Sequence, residues 1–457
     1  MNDETPSAVS LFDWSIYRHL FSAPGMEKIF GERATIEAWV EVEKAVARAQ
    51  AAVGIMPPEA AETINAGLDA AAIDLERLRA DTLDVGRPIV GMIKQLSEQV
   101  GAGADVWVHY GVTTYDVMDT GRVLQLRAGL DEINAALARY LAKLGELAAE
   151  HRDTVMIGRT NNLHAQPITL GGKLAVWIEE GMRHCERLAQ ARKRLLVVQF
   201  GGATGTLASL HPHGLAFRRR VADELGLGHA LSNWHNARDG MTEVSLTLGN
   251  LCASLARNAQ NINSLSSTEI GELSEAGGEG RGRSTAMAHK RNPRAAEFAE
   301  AVARLGRQRA MGLAEVMGQE HDRCGGTWIA EWMLVPETFL LASGALGWAN
   351  DLLERLEVHP EKMRANVDMT GGLALTERFT LALASRISKF EARKILDAAC
   401  AHVATEGGTL AEALKAMPDA REVMDADEID ALADPAGYVG AAPEIVDDVL
   451  KALAAKE

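Results

Sequence analysis

Aromatic residues are scarce in this chain, making up 5% of its 457 residues. Sheet-rich cores draw heavily on aromatic and β-branched side chains, so this shortage, set beside plentiful Ala and Leu, turns the expectation towards closely packed helices. Cysteine is scarcer still. Cys185, Cys252, Cys324 and Cys400 are far apart and show no CxxC spacing, so neither a zinc site nor a disulfide framework is suggested. Three of them fall in helical patterns, as small core residues do. A run of about 18 apolar residues is lacking, and so is an N-terminal basic region followed by an apolar core and cleavage site. The expectation is a soluble, cytoplasmic protein with no membrane partner. Positive charge is also in deficit: 47 Lys and Arg against 63 Asp and Glu leave a formal charge of -16. That argues against nucleic acid as a partner. A small anion remains admissible, because a local Arg or Lys cluster outweighs distant charge that salt screens.

The length suffices for two or three domains and a sizeable core. Residues 1–110 read as an N-terminal helical domain of ordinary helices with short breaks. From Val123 the pattern changes. Val123, Leu126, Leu130, Ile133, Leu137, Tyr140, Leu144 and Leu147 recur at steps of three and four, a narrow apolar seam over about seven turns. Val244, Leu248, Leu251, Leu255, Ile262 and Leu265 repeat the design, with Asn258 where an apolar residue is expected. Further helices near 173–197 and 295–317 complete a long central bundle over 111–365, and seams of this length call for association between chains. After about Asn366 the breaks Gly371-Gly372, Gly407-Gly408 and Asp434-Pro435 mark a small C-terminal helical domain, 366–457.

Three loops beside the long helices carry more polar groups than a bundle needs. In the first, His109 to Asp116, Thr113 and Thr114 precede a helix, where hydroxyls and helix N–H groups suit a carboxylate, or simply a cap. The second, Gly158 to Pro167, crowds Thr160, Asn161, His164 and Gln166 into what reads as a short turn. The third, Gly277 to Glu297, opens with Gly and Arg and almost nothing to bury, so it reads as a mobile lid. Its second half reads as a helix start, with Asn292 as cap and Pro293 in the first turn. A helix N-terminus beside Lys290 suits a carboxylate, within reach of Ser284.

Together these segments resemble the fumarase/aspartase superfamily, whose members include argininosuccinate lyase, adenylosuccinate lyase and 3-carboxy-cis,cis-muconate cycloisomerase. The lid, Arg283-Ser-Thr-Ala-Met-Ala-His-Lys-Arg-Asn-Pro293, resembles the signature GSSxMPxKxNP. The muconate cycloisomerase branch is the most similar. The residues that carry this are Trp234-His-Asn-Ala-Arg-Asp239, Glu320-His-Asp-Arg-Cys-Gly-Gly-Thr-Trp-Ile-Ala-Glu-Trp332, Met369-Thr-Gly-Gly-Leu373 and Asp434-Pro-Ala-Gly-Tyr-Val-Gly-Ala441.

The resemblance implies an all-α, three-domain lyase fold, a twenty-helix core in a homotetramer, and no metal or organic cofactor. It implies Ser284 as the base, Lys290 and Asn292 as stabilisers of an aci-carboxylate, and Thr113 and Thr114 as carboxylate contacts. Glu297 matches an acid that pairs with a catalytic histidine. That histidine is absent: Asn161 stands in its place, and asparagine is no general acid. Either His164 or His109 takes over, or the leaving group needs no proton. His109, Asn161, Gln166 and Arg323 join the expected substrate-binding set, while Arg283, in place of the usual Gly, either adds a carboxylate contact or faces water. The expected partner is a small anionic polycarboxylate. The expected reaction is cycloisomerisation of 3-carboxy-cis,cis-muconate, or release of fumarate from an N-substituted aspartate or a nitrosuccinate-like compound.

Overall fold

The computed structural model describes residues 9–277 and 281–455. Five long helices dominate: Thr114–Glu150, Leu170–Leu195, Asp239–Leu265, Arg294–Val316 and Gly326–Glu354. Every residue of the predicted seam from Val123 to Leu147 is buried, as are the six apolar positions of the second seam. Asn258 is buried among them and donates through Nδ2 to the Tyr140 hydroxyl at 3.1 Å. A polar group inside an apolar seam fixes register only when it has a partner, and Tyr140 supplies it.

The chain divides into two compact units, each assembled from three stretches. The first takes 9–137, 184–256 and 301–347. Its core gathers Ile36, Val40 and Val46 from the helix Glu32–Ala52 with Ile89, Met92, Phe200, Phe217 and Trp328. That helix packs on Pro58–Gly67 and Gly214–Leu225. Only Gly86 and Arg87 separate two of the unit's helices, because Leu75–Val85 ends on Gly86 at φ 75° and the next helix opens at Pro88.

The second unit takes 138–183, 257–300 and 348–455. Here Gly181 lets two helices meet closely: a Cβ on it would lie 2.3 Å from Leu141 Cδ2. After residue 373 the helices shorten around Leu375, Phe379, Leu383, Leu396 and Leu414. Capping boxes start two of them, Ser388 with Glu391 and Thr409 with Glu412. The predicted breaks hold, with Gly371, Gly372, Gly407 and Gly408 all at positive φ.

One expectation needs correction. The segment 158–167 is an antiparallel hairpin, Val155–Thr160 against Leu163–Thr169, not a short turn. The other sheets are equally small, each two-stranded. The helix Gly326–Glu354 holds an 18-residue window apolar enough, by length and composition, to cross a membrane, although Glu337 and Thr338 keep it from being an unbroken apolar run. Of that window 61% is buried within the protein, as for any core helix of a bundle.

In the first unit Arg238 joins the starts of three long helices. Its guanidinium grips Asp119 with bonds of 2.8 and 3.0 Å and Glu331 from Nε at 3.0 Å, and all three side chains are buried. Burial, helped by the Asp119 charge, pushes the Glu331 carboxyl upward, and Arg238 only partly opposes it. Replacing Arg238 with Met leaves two carboxylates buried without their cation, which is expected to cost about 3–5 kcal/mol. Replacing Arg194, whose pair with Glu243 is exposed, should barely move the urea midpoint. Urea unfolding of both variants tests this, and similar midpoints would deny the buried cluster its weight.

Candidate active site

The first polar loop is tied down from within. The helix opens at Thr114, and the Asp116 carboxylate reaches back to the Thr113 N–H at 3.1 Å. The same carboxylate accepts the N–H groups of Gly201 and Gly202, each at 3.0 Å, and lies 2.9 Å from His235 Nε2. Asp116 and His235 are fully buried. Gly201 is required here, since a Cβ would stand 2.9 Å from the His235 ring. Asp116 is thus a hub as well as a cap. Its partners went unrecognised in the sequence, although the Gly-Gly pair and the histidine after Trp234 were the available signals.

With its backbone fixed, this loop presents side chains outward. Thr113 Oγ1 accepts from Arg323 Nη1 at 2.7 Å, so two residues of the expected substrate set come together. Tyr115 stacks on Trp328 with centroids 3.6 Å apart, and its hydroxyl donates to the Cys324 carbonyl. Burial pushes the Tyr115 phenol up to about 12. His109 adopts φ 60°, and its Nδ1 lies 2.6 Å from the buried Glu43 carboxylate. Burial would lower its pKa, but the charge and hydrogen bond of Glu43, helped by Asp116, outweigh that and raise it above 6.5.

The hairpin turns through Asn161 and Asn162 at φ 51° and 64°, the two-residue left-handed turn that asparagine favours. Asn161 therefore has a backbone reason to be there. His164 pairs across the strands with Arg159, and burial followed by the Arg159 charge lowers its pKa. Arg159 is itself clamped on Glu272 at 2.6 and 3.0 Å. Gln166 gives its amide N–H to Glu377, which also takes the Tyr438 hydroxyl at 2.7 Å.

Gly278, Glu279 and Gly280, in the glycine-rich start of the expected lid, lie outside the described residues. From Gly282 to Asn292 the chain forms an arch with a hydrogen-bonded neck. Arg283 bridges Arg291 antiparallel, the Asn292 N–H donates to the Gly282 carbonyl at 2.8 Å, and the Ser284 N–H donates to the Lys290 carbonyl at 3.3 Å. Ser284 Oγ accepts from the Ala286 and Met287 N–H groups at 3.3 and 3.0 Å. Lys290 and Arg283 are exposed.

The helix cap differs from expectation. Asn292 turns its amide back to Gly282 at 3.1 Å, and the Glu275 carboxylate caps the helix instead, taking the N–H groups of Ala295 and Ala296 at 3.1 and 2.9 Å. Asn292 lies one residue too early to serve. Glu297 pairs with Arg294 at 2.6 Å rather than with a histidine of this chain. Ser284, Lys290 and Asn292 thus share one arch, and Asn161, His164 and Gln166 share one hairpin. Among the described residues no hydrogen bond links arch to hairpin.

A histidine whose pKa is raised by folding stabilises fully below its unfolded value, and that contribution is lost as pH rises through the folded one. His109→Gln should therefore be most destabilised relative to the parent at pH below about 6, with the gap narrowing as pH rises through the folded value. Urea midpoints across that range test this, and a gap that widens with pH would refute the raised pKa.

The comparisons with known proteins agree with this architecture. A family model described as Lyase matches residues 19–308, and one for the adenylosuccinate lyase C-terminus matches 372–449. The 3-carboxy-cis,cis-muconate cycloisomerase of Pseudomonas aeruginosa is 39% identical over 437 residues, covering 94% of each chain. Nitrosuccinate lyase of Streptomyces davaonensis is 37% identical over 457 residues, covering 97% of this chain and 96% of that one. The crystal structure of the 3-carboxy-cis,cis-muconate lactonizing enzyme from Pseudomonas putida superposes with a TM-score of 0.89 at 36% identity, covering 95% of this chain and 98% of that one. Helical architecture, family model and relatives agree, and the chain belongs to the lyase family of the fumarase/aspartase superfamily and is an enzyme of that superfamily.

Proposed function

We propose that the enzyme uses Ser284 to move a proton at the carbon beside a carboxylate of a succinyl-type polycarboxylate, in a cycloisomerisation like that of 3-carboxy-cis,cis-muconate. The observation that carries this reading is the setting of Ser284 Oγ, which already accepts two backbone N–H groups. A serine hydroxyl is a poor base in water, and an alkoxide formed here meets donors that need no reorganisation. Lys290, on the same arch, adds a positive charge that favours both the alkoxide and the aci-carboxylate. Asn292 holds the neck of the arch and serves the same carboxylate.

The proton balance favours a weakly basic leaving or attacking group. Burial, followed by the Arg159 charge, lowers the His164 pKa, which disfavours the protonated form that a general acid uses. A carboxylate adding across a double bond needs no proton on its own oxygen, and the proton gained by the carbon beside the other carboxylate comes from Ser284. The second reading is elimination of nitrite from a nitrosuccinate-like substrate. It meets the same condition, and the 37% identity to a nitrosuccinate lyase favours it over amine release. The reading also includes a homotetramer whose active sites combine the Thr113 loop, the hairpin and the arch from different subunits.

An assay with 3-carboxy-cis,cis-muconate, run beside a fumarate-release assay on substituted succinates, should show loss of muconate absorbance with lactone formed. Fumarate alone would move the assignment to the second reading. Ser284→Ala should lose several orders of magnitude in kcat with unchanged thermal unfolding, and near-normal turnover would remove Ser284 as the base. Light scattering should give a mass four times that of one chain, and a monomer that turns over would refute the shared site.

A further inference from the structure

Most arginines of this acidic protein are tied to carboxylates. Arg87 and Arg323 are not: among the described residues, Arg87 donates to its neighbour's carbonyl on Gly86 at 2.7 Å, and Arg323 to the Thr113 hydroxyl at 2.7 Å. Most of their N–H donors are left unused. Both guanidiniums are nonetheless held in place by aromatic faces. Arg87 lies 5.6 and 5.5 Å from the ring centroids of Trp328 and Trp332, and Arg323 lies 5.1 Å from that of Tyr115. The rings are themselves fixed, because Tyr115 stacks on Trp328 and the Trp328 indole donates to Asp119 at 2.9 Å.

The two side chains converge on one cavity of about 260 Å³, lined by Arg87, Thr114, Tyr115, Arg323, Cys324 and Gly325. Among the described residues no carboxylate lines it. Two unpaired guanidiniums on rigid supports, with a threonine hydroxyl beside them, make a preorganised anion clamp. Charge balance sets its preferred occupant: two fixed cations in one cavity are neutralised by two carboxylates, and a single carboxylate leaves one cation unmatched.

We infer that this cavity takes two of the substrate's carboxylates, that Arg87 is the residue that makes the enzyme prefer tricarboxylates to dicarboxylates, and that the third carboxylate goes to the Lys290 arch of another subunit. The inference rests on the proposed polycarboxylate chemistry and names its substrate class. It sets tricarboxylates of the carboxymuconate kind above nitrosuccinate, which carries two carboxylates.

The test is equilibrium binding to the assembled enzyme, followed by calorimetry and by the fluorescence of the tryptophans under Arg87. Tricarballylate and succinate serve as probes. The parent should bind tricarballylate at least about tenfold more tightly than succinate, a difference set by one charge-assisted contact. Arg87→Gln should remove most of that preference, weakening tricarballylate far more than succinate. Should Arg87→Gln fold poorly by circular dichroism, Arg87→Lys is the second variant and should lose part of the preference, since it keeps the charge but not the planar fork. Equal binding of the two probes by the parent would overturn the inference, as would a variant that weakens both alike. Neither measurement needs turnover, so failure of Ser284 as the base would leave the binding preference of the cavity standing.

Discussion

A single buried cation, Arg238, sets the geometry on which the Thr113 side of the site depends. It satisfies Asp119 near the start of one long helix and Glu331 near the start of another, while lying at the threshold of a third. Asp119 passes the constraint on, because it also takes the Trp328 indole, and Trp328 carries Tyr115 and underlies Arg87. Asp116 one turn earlier does the equivalent for the backbone, through Gly201, Gly202 and His235. Buried charges are costly unless every partner is present, so this network has few alternative arrangements. The outward-facing Thr113, Thr114 and Arg323 inherit that rigidity.

The second unit positions its polar residues by other means. The hairpin is held by backbone pairing and by the Arg159–Glu272 clamp, and the arch by its own neck. Ser284 gains its two donors from a local turn of four residues, with no contribution from distant side chains. The base proposed for the reaction is therefore prepared by short-range geometry, and the anion contacts by long-range packing.

Legibility in the sequence followed the same division. The seam from Val123 to Leu147 and the glycine breaks near 371 and 407 were readable because helix period and positive φ are local properties. Asn161-Asn162 was also local, and the paired asparagines are a hairpin signal that the expected short turn passed over. The helix cap at Ala295 was not readable, since Glu275 stands 20 positions away in sequence. Nor was the fate of Asp116, whose partners at Gly201, Gly202 and His235 are brought up only by tertiary packing. Arg87 escaped notice for the same reason: nothing in its neighbourhood marks it, and its meaning comes from Trp328, Trp332 and Arg323.

Each of the five long helices contributes residues to both compact units, so the boundary between the units crosses the chain inside helices and never in a linker. No single cut of the polypeptide separates them. Neither unit can be excised, fused elsewhere or exchanged with a relative as a contiguous cassette. Recombination at any one position would join parts of two different cores, whereas a point change in a loop leaves both intact.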